Sequence, residues 1–383
     1  MAIILSVYIF VCIMLFLFNI FFILFKNIKK NRMFSSDKSI DEKFTLAMEN
    51  YEHQVGMDKD TKEYISKKIE KTKNLIELMH TLEKNKNIIS KDVMEEIREM
   101  IIEKEDLYIK KKEIEKAYYP YVLSLFDYSN REFTRYEKSN IADFLECESL
   151  YTFVNTMELV YKISDLELLE MAMEKVNTSE IFYHKKLLID GLMKYKGNEK
   201  ELRNSIEKNF FSYKDEIQEA LVDFCRMRKL EINNLCMDIL NKEHDIYPEV
   251  RYAAMRYFIF NRDEESKYYF INLLQEENLY WLEKMLSIQI LYKYEDSIIY
   301  DIIKECVTDR NWYVRNAAIK YVHGKNIDQE EIFSILDRRD KYANEELLYE
   351  YREEKDVSDY IKEMISKFEE EEKEKNKVES EGI

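Results

Sequence analysis

Glycine and proline are nearly missing from this sequence, with five Gly and two Pro in 383 residues. Sandwiches and barrels need tight turns at close intervals, and a doubly wound sheet needs glycine in its short connections. Neither can be built here, so the chain is expected to be all-α. The same scarcity removes phosphate-cradling loops: Gly56, Gly191, Gly197, Gly324 and Gly382 cannot form G-x-G-x-x-G or G-x-x-x-x-G-K-[ST]. Cysteine is scarce as well. Cys12, Cys147, Cys225, Cys236 and Cys306 are odd in number and contain no C-x-x-C pair, which leaves reduced, mostly buried thiols rather than a disulfide frame or a zinc site. Basic charge is in deficit, 59 Lys and Arg against 76 Asp and Glu, for a net of −17. Positions 1 to 32 hold no acidic residue, so the rest of the chain is more acidic still and is repelled by phosphates. Nucleic acid is therefore not the expected partner.

Catalytic motifs are missing too. There is no H-E-x-x-H and no G-x-S-x-G. Glu77-x-x-His80 has the spacing of half a di-iron site, but His53, His184, His244 and His323 lack the second acidic partner three residues before them. Glu180 and His184 form an ordinary i, i+4 polar pair. No catalytic, cofactor or metal residue is assigned, and an enzyme is not expected.

What is present begins with an uncharged run from Met1 to Phe25. Twenty-five helical residues reach about 37 Å, more than a hydrocarbon core of about 30 Å, so the run predicts a transmembrane helix. It has no basic n-region, exceeds a signal-peptide h-region and precedes no A-x-A-like site. Lys26, Lys29, Lys30 and Arg32 follow it, suited to anionic headgroups. By the positive-inside rule they predict single-pass insertion in the plasma membrane, with the N-terminus outside and the body cytoplasmic.

Residues 26–60 are polar and irregular and are expected to form a juxtamembrane stalk. Over 61–118 two apolar stripes of helical spacing, Ile65, Ile69, Ile76 and Met79, then Val93, Ile97, Met100, Ile101, Leu107, Tyr108 and Ile114, flank a polar turn at Asn85 to Asn87. They predict an antiparallel helical hairpin; a coiled-coil dimer would use the same narrow stripes. Pro120 is expected to end this section. Connecting helices occupy 119–163, and 371–383 is a charge run expected to be a disordered tail.

Residues 164–370 contain an internal repeat. The segments starting at Tyr247, Tyr280 and Asn311 superimpose when Arg251, Lys284 and Arg315 are matched, which aligns Ala254 with Ser287 and Ala318, and Met255 with Ile288 and Ile319. Amphipathic runs lie between them, near 164 to 176, 199 to 211, 230 to 243, 264 to 276, 296 to 308, 328 to 338 and 357 to 369. Each repeat is thus two helices, and neither buries its face alone, so neighbours must stack into a solenoid.

In Asp309-x-x-Trp312-Tyr-Val314-Arg315-x-x-Ala318 and Asp245-x-x-Pro248-Glu-Val250-Arg251-x-x-Ala254 the repeat resembles the HEAT family, in its short bacterial, phycobilisome-lyase-type form. The resemblance implies that Asp245 with Arg251 and Asp309 with Arg315 belong to a hydrogen-bonded ladder between repeats. It also implies that the second helix of each pair lines a concave partner-binding face. Carried along the alignment, that face holds one row of Lys186, Glu219, Tyr252, Met285 and Asn316 and a second of Asp190, Asp223, Arg256, Gln289 and Lys320. The rows are expected to be acidic at the N-terminal end and positive at the C-terminal end. The reading that follows is a membrane-anchored cytoplasmic scaffold that binds a protein partner, itself membrane-associated. By resemblance alone, it would be an accessory subunit of an envelope or exopolysaccharide assembly system. A lyase or hydrolase using the groove and a nucleic-acid binder are the alternatives.

Overall fold

The computed structural model describes residues 9–24, 59–84, 89–181, 183–241, 246–325 and 328–381. Among them every regular element is helical, and two compact units divide the chain between Leu202 and Arg203.

The transmembrane expectation is not upheld. Among the described residues no helix is long and apolar enough to cross a membrane. The apolar run is helical over 9–24. The single-pass plasma-membrane placement rested on that helix and falls with it. Lys26, Lys29, Lys30 and Arg32, and all but the end of the expected stalk, lie outside the described residues.

The first unit contains α1 (Lys59–Lys68), α2 (Thr72–Lys84), α3 (Lys91–Ile102), α4 (Glu105–Tyr108), α5 (Glu113–Lys116), α6 (Tyr118–Leu123), α7 (Arg135–Asp143), α8 (Leu150–Ile163), α9 (Leu166–Thr178) and α10 (Lys185–Leu192). The two runs expected as single helices are broken. Between α1 and α2 the chain turns because side chains take over the carbonyls that a continuing helix would have used. Asn74 donates to Lys68 O at 2.9 Å, the buried Tyr108 hydroxyl to Ile69 O at 2.5 Å, and Lys111 to Glu70 O at 2.5 Å. Pro120 lies inside the first turn of α6 rather than beyond a helix end. First-turn N–H groups have no intrahelical acceptor, so proline costs nothing there. Around it Tyr108, Tyr119 and Phe144 stack with centroids 5.1 Å apart at each step, and α6 packs on α2, α3 and α8.

One carboxyl of this unit is poorly placed for ionisation. Glu105, 7% exposed at the start of α4, accepts from Asn140 Nδ2 at 3.0 Å. Burial, opposed by that hydrogen bond and reinforced by Glu137 and Asp106, raises its pKa to about 7 even with Arg131 nearby. The folded state then holds this proton more tightly than the unfolded chain does. The contribution is fully present below about pH 4.5 and is lost as pH rises through about 7, and it amounts to at most about 3 kcal/mol. Glu105→Gln, which mimics the protonated form, is expected to raise the urea midpoint over wild type at pH 8 and to leave it unchanged or lower at pH 5. Parallel midpoints at both pH values would refute the assignment.

The second unit begins within α11 (Glu199–Asn209) and continues with α12 (Asp215–Arg228), α13 (Asn233–Asn241), α14 (Pro248–Phe260), α15 (Glu264–Leu274), α16 (Trp281–Leu291), α17 (Ser297–Glu305), α18 (Trp312–Gly324), α19 (Gln329–Leu336), α20 (Lys341–Glu350) and α21 (Lys355–Glu381). The helices α14, α16 and α18 start where the repeat alignment places them. Each packs on the helix before it in its pair (α13, α15, α17) and on the equivalent helix of the neighbouring repeat, giving the series α12, α14, α16, α18, α20. This is a helical repeat arrangement compatible with an α-solenoid. The matched positions explain the stacking: Ala254, Ser287 and Ala318 are fully buried small residues that let helices approach, beside the buried Met255, Ile288 and Ile319.

Two further devices recur with the repeat. Asp263, Asp296 and Asp328 cap α15, α17 and α19 by accepting backbone N–H groups. Lys293 and Lys325 donate to Phe258 O at 3.2 Å and Tyr294 O at 3.3 Å, satisfying a carbonyl in the last turn of α14 and one just beyond the end of α16. The charge run expected as a disordered tail is helical as far as Glu381. Glu and Lys are strong helix formers, which carries the helix past its last buried residues.

Candidate functional site

Of the ten residues expected on the binding face, Lys186 and Asp190 are exposed on α10 of the first unit, and the other eight belong to the second. Glu219 and Asp223 are buried, at 6% and 7% exposure. Arg256 lies 3.7 Å from Glu219 and 3.9 Å from Asp223, and Arg226 lies 3.0 Å from Asp223. The charge gradient expected along the rows is therefore absent here, because its acidic members on α12 are neutralised by arginines. Burying these carboxylates without cations would be costly, and that cost selects the pairing. Gln289 and Lys320 are exposed, while Tyr252, Met285 and Asn316 are half-buried.

The ladder also differs in its partners. Asp245 lies outside the described residues. The Asp309 carboxylate does not meet Arg315. Its Oδ1 caps the turn by accepting Asn311 N–H at 2.8 Å, and its Oδ2 accepts from Lys284 at 3.1 Å. Arg315 reaches only the carbonyls of Asp309 and Arg310, at 2.9 and 3.1 Å, and its guanidinium lies 5.4 Å from the Tyr342 ring centre. Arg251 donates to Glu283 at 2.6 Å, to Leu240 O at 2.7 Å and to the Tyr269 hydroxyl at 2.8 Å. The rule is directional. The matched cation of each helix reaches forward to the next repeat: Arg251 to Glu283 and Tyr269, Lys284 to Asp309, Arg315 to Tyr342.

An exposed apolar feature of the second unit lies at the N-terminal ends of the same helices. Tyr280 is the N-cap of α16 and Trp281 its first residue; Trp312 and Tyr313 open α18. Their rings touch in sequence: Tyr280 to Trp281 at 5.5 Å, Trp281 to Tyr313 at 5.1 Å and nearly parallel, and Tyr313 to Trp312 at 5.0 Å edge to face. Tyr280, Trp312 and Tyr313 are each about half exposed, at 51, 49 and 52%. Stacked α16 and α18 bring these helix starts side by side, so rings distant in sequence become one ridge. Beyond it Trp312 Nε1–H donates to Glu346 Oε2 at 2.8 Å, and Asn316 donates to Glu346 Oε1. Tyr342 on α20 is 62% exposed. On the other side, burial together with the nearby Glu283 and Tyr280 raises the Tyr252 phenol pKa, which marks Tyr252 as the ridge's neighbour on α14.

Sequence reasoning had Tyr280, Trp281, Trp312 and Tyr313 in view as repeat-motif residues and did not assign them to a surface. The available signal was that aromatic residues recur at the position where each second helix begins. Many other tyrosines do belong to the core. Tyr257 and Tyr294, for instance, use their hydroxyls to hold the chain at Ile232 and Asp263.

A concavity of the first unit carries several paired groups. A cleft of about 950 Å³ in the first unit is lined by Arg131, Lys138, Glu158, Asp165 and Lys194 among others. Lys138 is 2.8 Å from Asp165, Lys194 is 2.6 Å from Glu158, and Arg131 is 2.6 Å from Glu137. Burial raises the Cys147 and Cys306 thiol pKa values to about 11, the wrong direction for a nucleophile. No protein-family model matches the chain, and neither a curated protein nor a solved structure does.

Proposed function

We propose that the second unit is a HEAT-like scaffold that binds a protein partner through the aromatic ridge. The observation that carries this reading is the run of four contacting rings, three of them about half exposed, held on stacked helices. Tyrosine and tryptophan are the residues that most often anchor interfaces, because they offer large contact area for few rotatable bonds. A contiguous exposed patch of this kind marks an interaction surface more often than chance. The HEAT-like assignment rests on the buried small residues at matched positions and on the forward-reaching cations.

The test is in vivo cross-linking with the full chain, comparing wild type with the double variant Tyr280→Ser, Trp312→Ala. Both side chains are about half exposed, so the melting curve is expected to stay close to wild type. Losing an aromatic anchor costs about 2 kcal/mol, about thirtyfold in affinity, so discrete cross-linked species should disappear. A cross-linked profile identical to wild type sinks the proposal.

A further inference from the structure

The ridge ends on a carboxylate held only by neutral donors. Glu346 is half-buried and accepts the indole N–H of Trp312 and the amide of Asn316. Two oxygens offer about four acceptor sites, so part of this capacity is unused. Among the described residues no cation makes an ion pair with it. The cations on the flanking helices are otherwise disposed. Arg315 is buried over Tyr342 and donates to backbone carbonyls, Lys341 pairs with Glu345, and Lys320 makes no ion pair. Elsewhere in the unit, half-buried or buried carboxylates such as Glu219, Asp223, Glu283 and Asp309 each have Arg or Lys within 4 Å. Glu346, like the half-buried Glu207, Asp263 and Asp340, has no such ion pair among the described residues, and it lies beside exposed rings whose faces also attract cations.

Resting on the docking reading above, we infer that the partner presents an arginine or lysine to Glu346, flanked by an apolar side chain that lies on the rings. The cation supplies the charge that Glu346 lacks within its own chain, and a charge-assisted hydrogen bond in a partly dehydrated setting fixes the register of the apolar contact. The acidic net charge of the chain favours approach of such a segment.

Trp281 and Trp312 are the only two tryptophans of the chain, so tryptophan emission, excited at the red edge where the 29 tyrosines do not absorb, reports this surface and no other. The full-length protein is titrated with a capped pentapeptide carrying one arginine between leucines, and with its citrulline and glutamate twins. A saturable emission change is expected with arginine, at least tenfold weaker with citrulline and weaker still with glutamate. Glu346→Gln should weaken the arginine peptide at least tenfold and bring arginine and citrulline within about twofold of each other. Glu295→Gln, an exposed acidic control, should leave both unchanged. No saturable change with the arginine peptide, equal responses to arginine and citrulline in wild type, or an unaltered affinity in Glu346→Gln would overturn the inference. So would a saturable response to a neutral hexasaccharide with none to the peptide, which would assign the rings to sugar stacking. If the peptide fails while Tyr280→Ser, Trp312→Ala still changes the cross-linked profile, docking stands and only the charge assignment falls.

Discussion

Arg251→Ala is expected to cost the second unit about 3–5 kcal/mol, the largest loss of any single cation in the repeat. The guanidinium is 7% exposed and meets three acceptors from three helices: Leu240 O on α13, the Tyr269 hydroxyl on α15 and Glu283 on α16. Truncation leaves Glu283, only 14% exposed at its side chain, as a carboxylate without its cation, and takes one donor each from Leu240 O, which keeps the Tyr269 hydroxyl at 3.2 Å, and from the half-buried Tyr269 hydroxyl. The equivalent positions set the scale. Arg315→Ala removes hydrogen bonds to two backbone carbonyls and should cost about 1.5–3 kcal/mol. Lys284→Ala removes a more exposed pair and should cost about 1 kcal/mol or less. Urea unfolding followed by circular dichroism ranks the three. A loss at Arg251 no greater than that at Lys284 would show that the cation is not a clamp between repeats.

Gly191→Ala is expected to destabilise the first unit by about 3 kcal/mol. A Cβ at this position would lie 2.0 Å from Tyr161 Cε2 and 2.5 Å from Cζ, far inside contact distance. Tyr161 is fully buried on α8, against which α10 packs, so its ring has no free volume to enter. Overpacking of this kind forces backbone movement or off-rotamer side chains and costs about 1–3 kcal/mol, occasionally more. The cause can be isolated by a double-mutant cycle. Tyr161→Leu is destabilising alone because it empties a core site, yet it removes the clash. The double variant should therefore be at least about 1 kcal/mol more stable than the sum of the two single losses. Simple additivity would mean that glycine at 191 serves another purpose.

Both predictions depend on packing partners that linear order does not reveal, which is also where sequence reasoning about the site fell short. The expected face followed alternate positions of the second helices, and at Glu219 and Asp223 those positions are buried beneath Arg256 and Arg226. A helix surface has no fixed outside until its neighbours are known, and charge pairing across α12 and α14 covered the residues that looked most available. The ridge, by contrast, is made of residues adjacent to helix starts. Their identities were plain, but a stack of Trp281 on Tyr313 joins positions 32 residues apart and exists only because α16 and α18 lie side by side. Likewise Asp309 looked like the partner of Arg315 at a separation of six, and its carboxylate instead serves Lys284 from the preceding repeat.

By itself the sequence determined the all-helical class, through the scarcity of glycine and proline, and the pairwise helix order from about residue 164 onward, through apolar spacing that repeats every 31 to 33 residues. These are local properties: backbone propensity and the periodicity of one face are written in consecutive residues. An uncharged stretch is local too, but spanning a membrane needs one long apolar helix, and among the described residues no helix is long and apolar enough. Only the tertiary structure decided where the chain breaks at Ile69 to Lys71, which cation reaches which acceptor, which acidic residues are neutralised, and which aromatic rings form one surface. Those are questions of proximity between segments, and each was settled by the burial of apolar faces that brings distant polar and aromatic groups within reach.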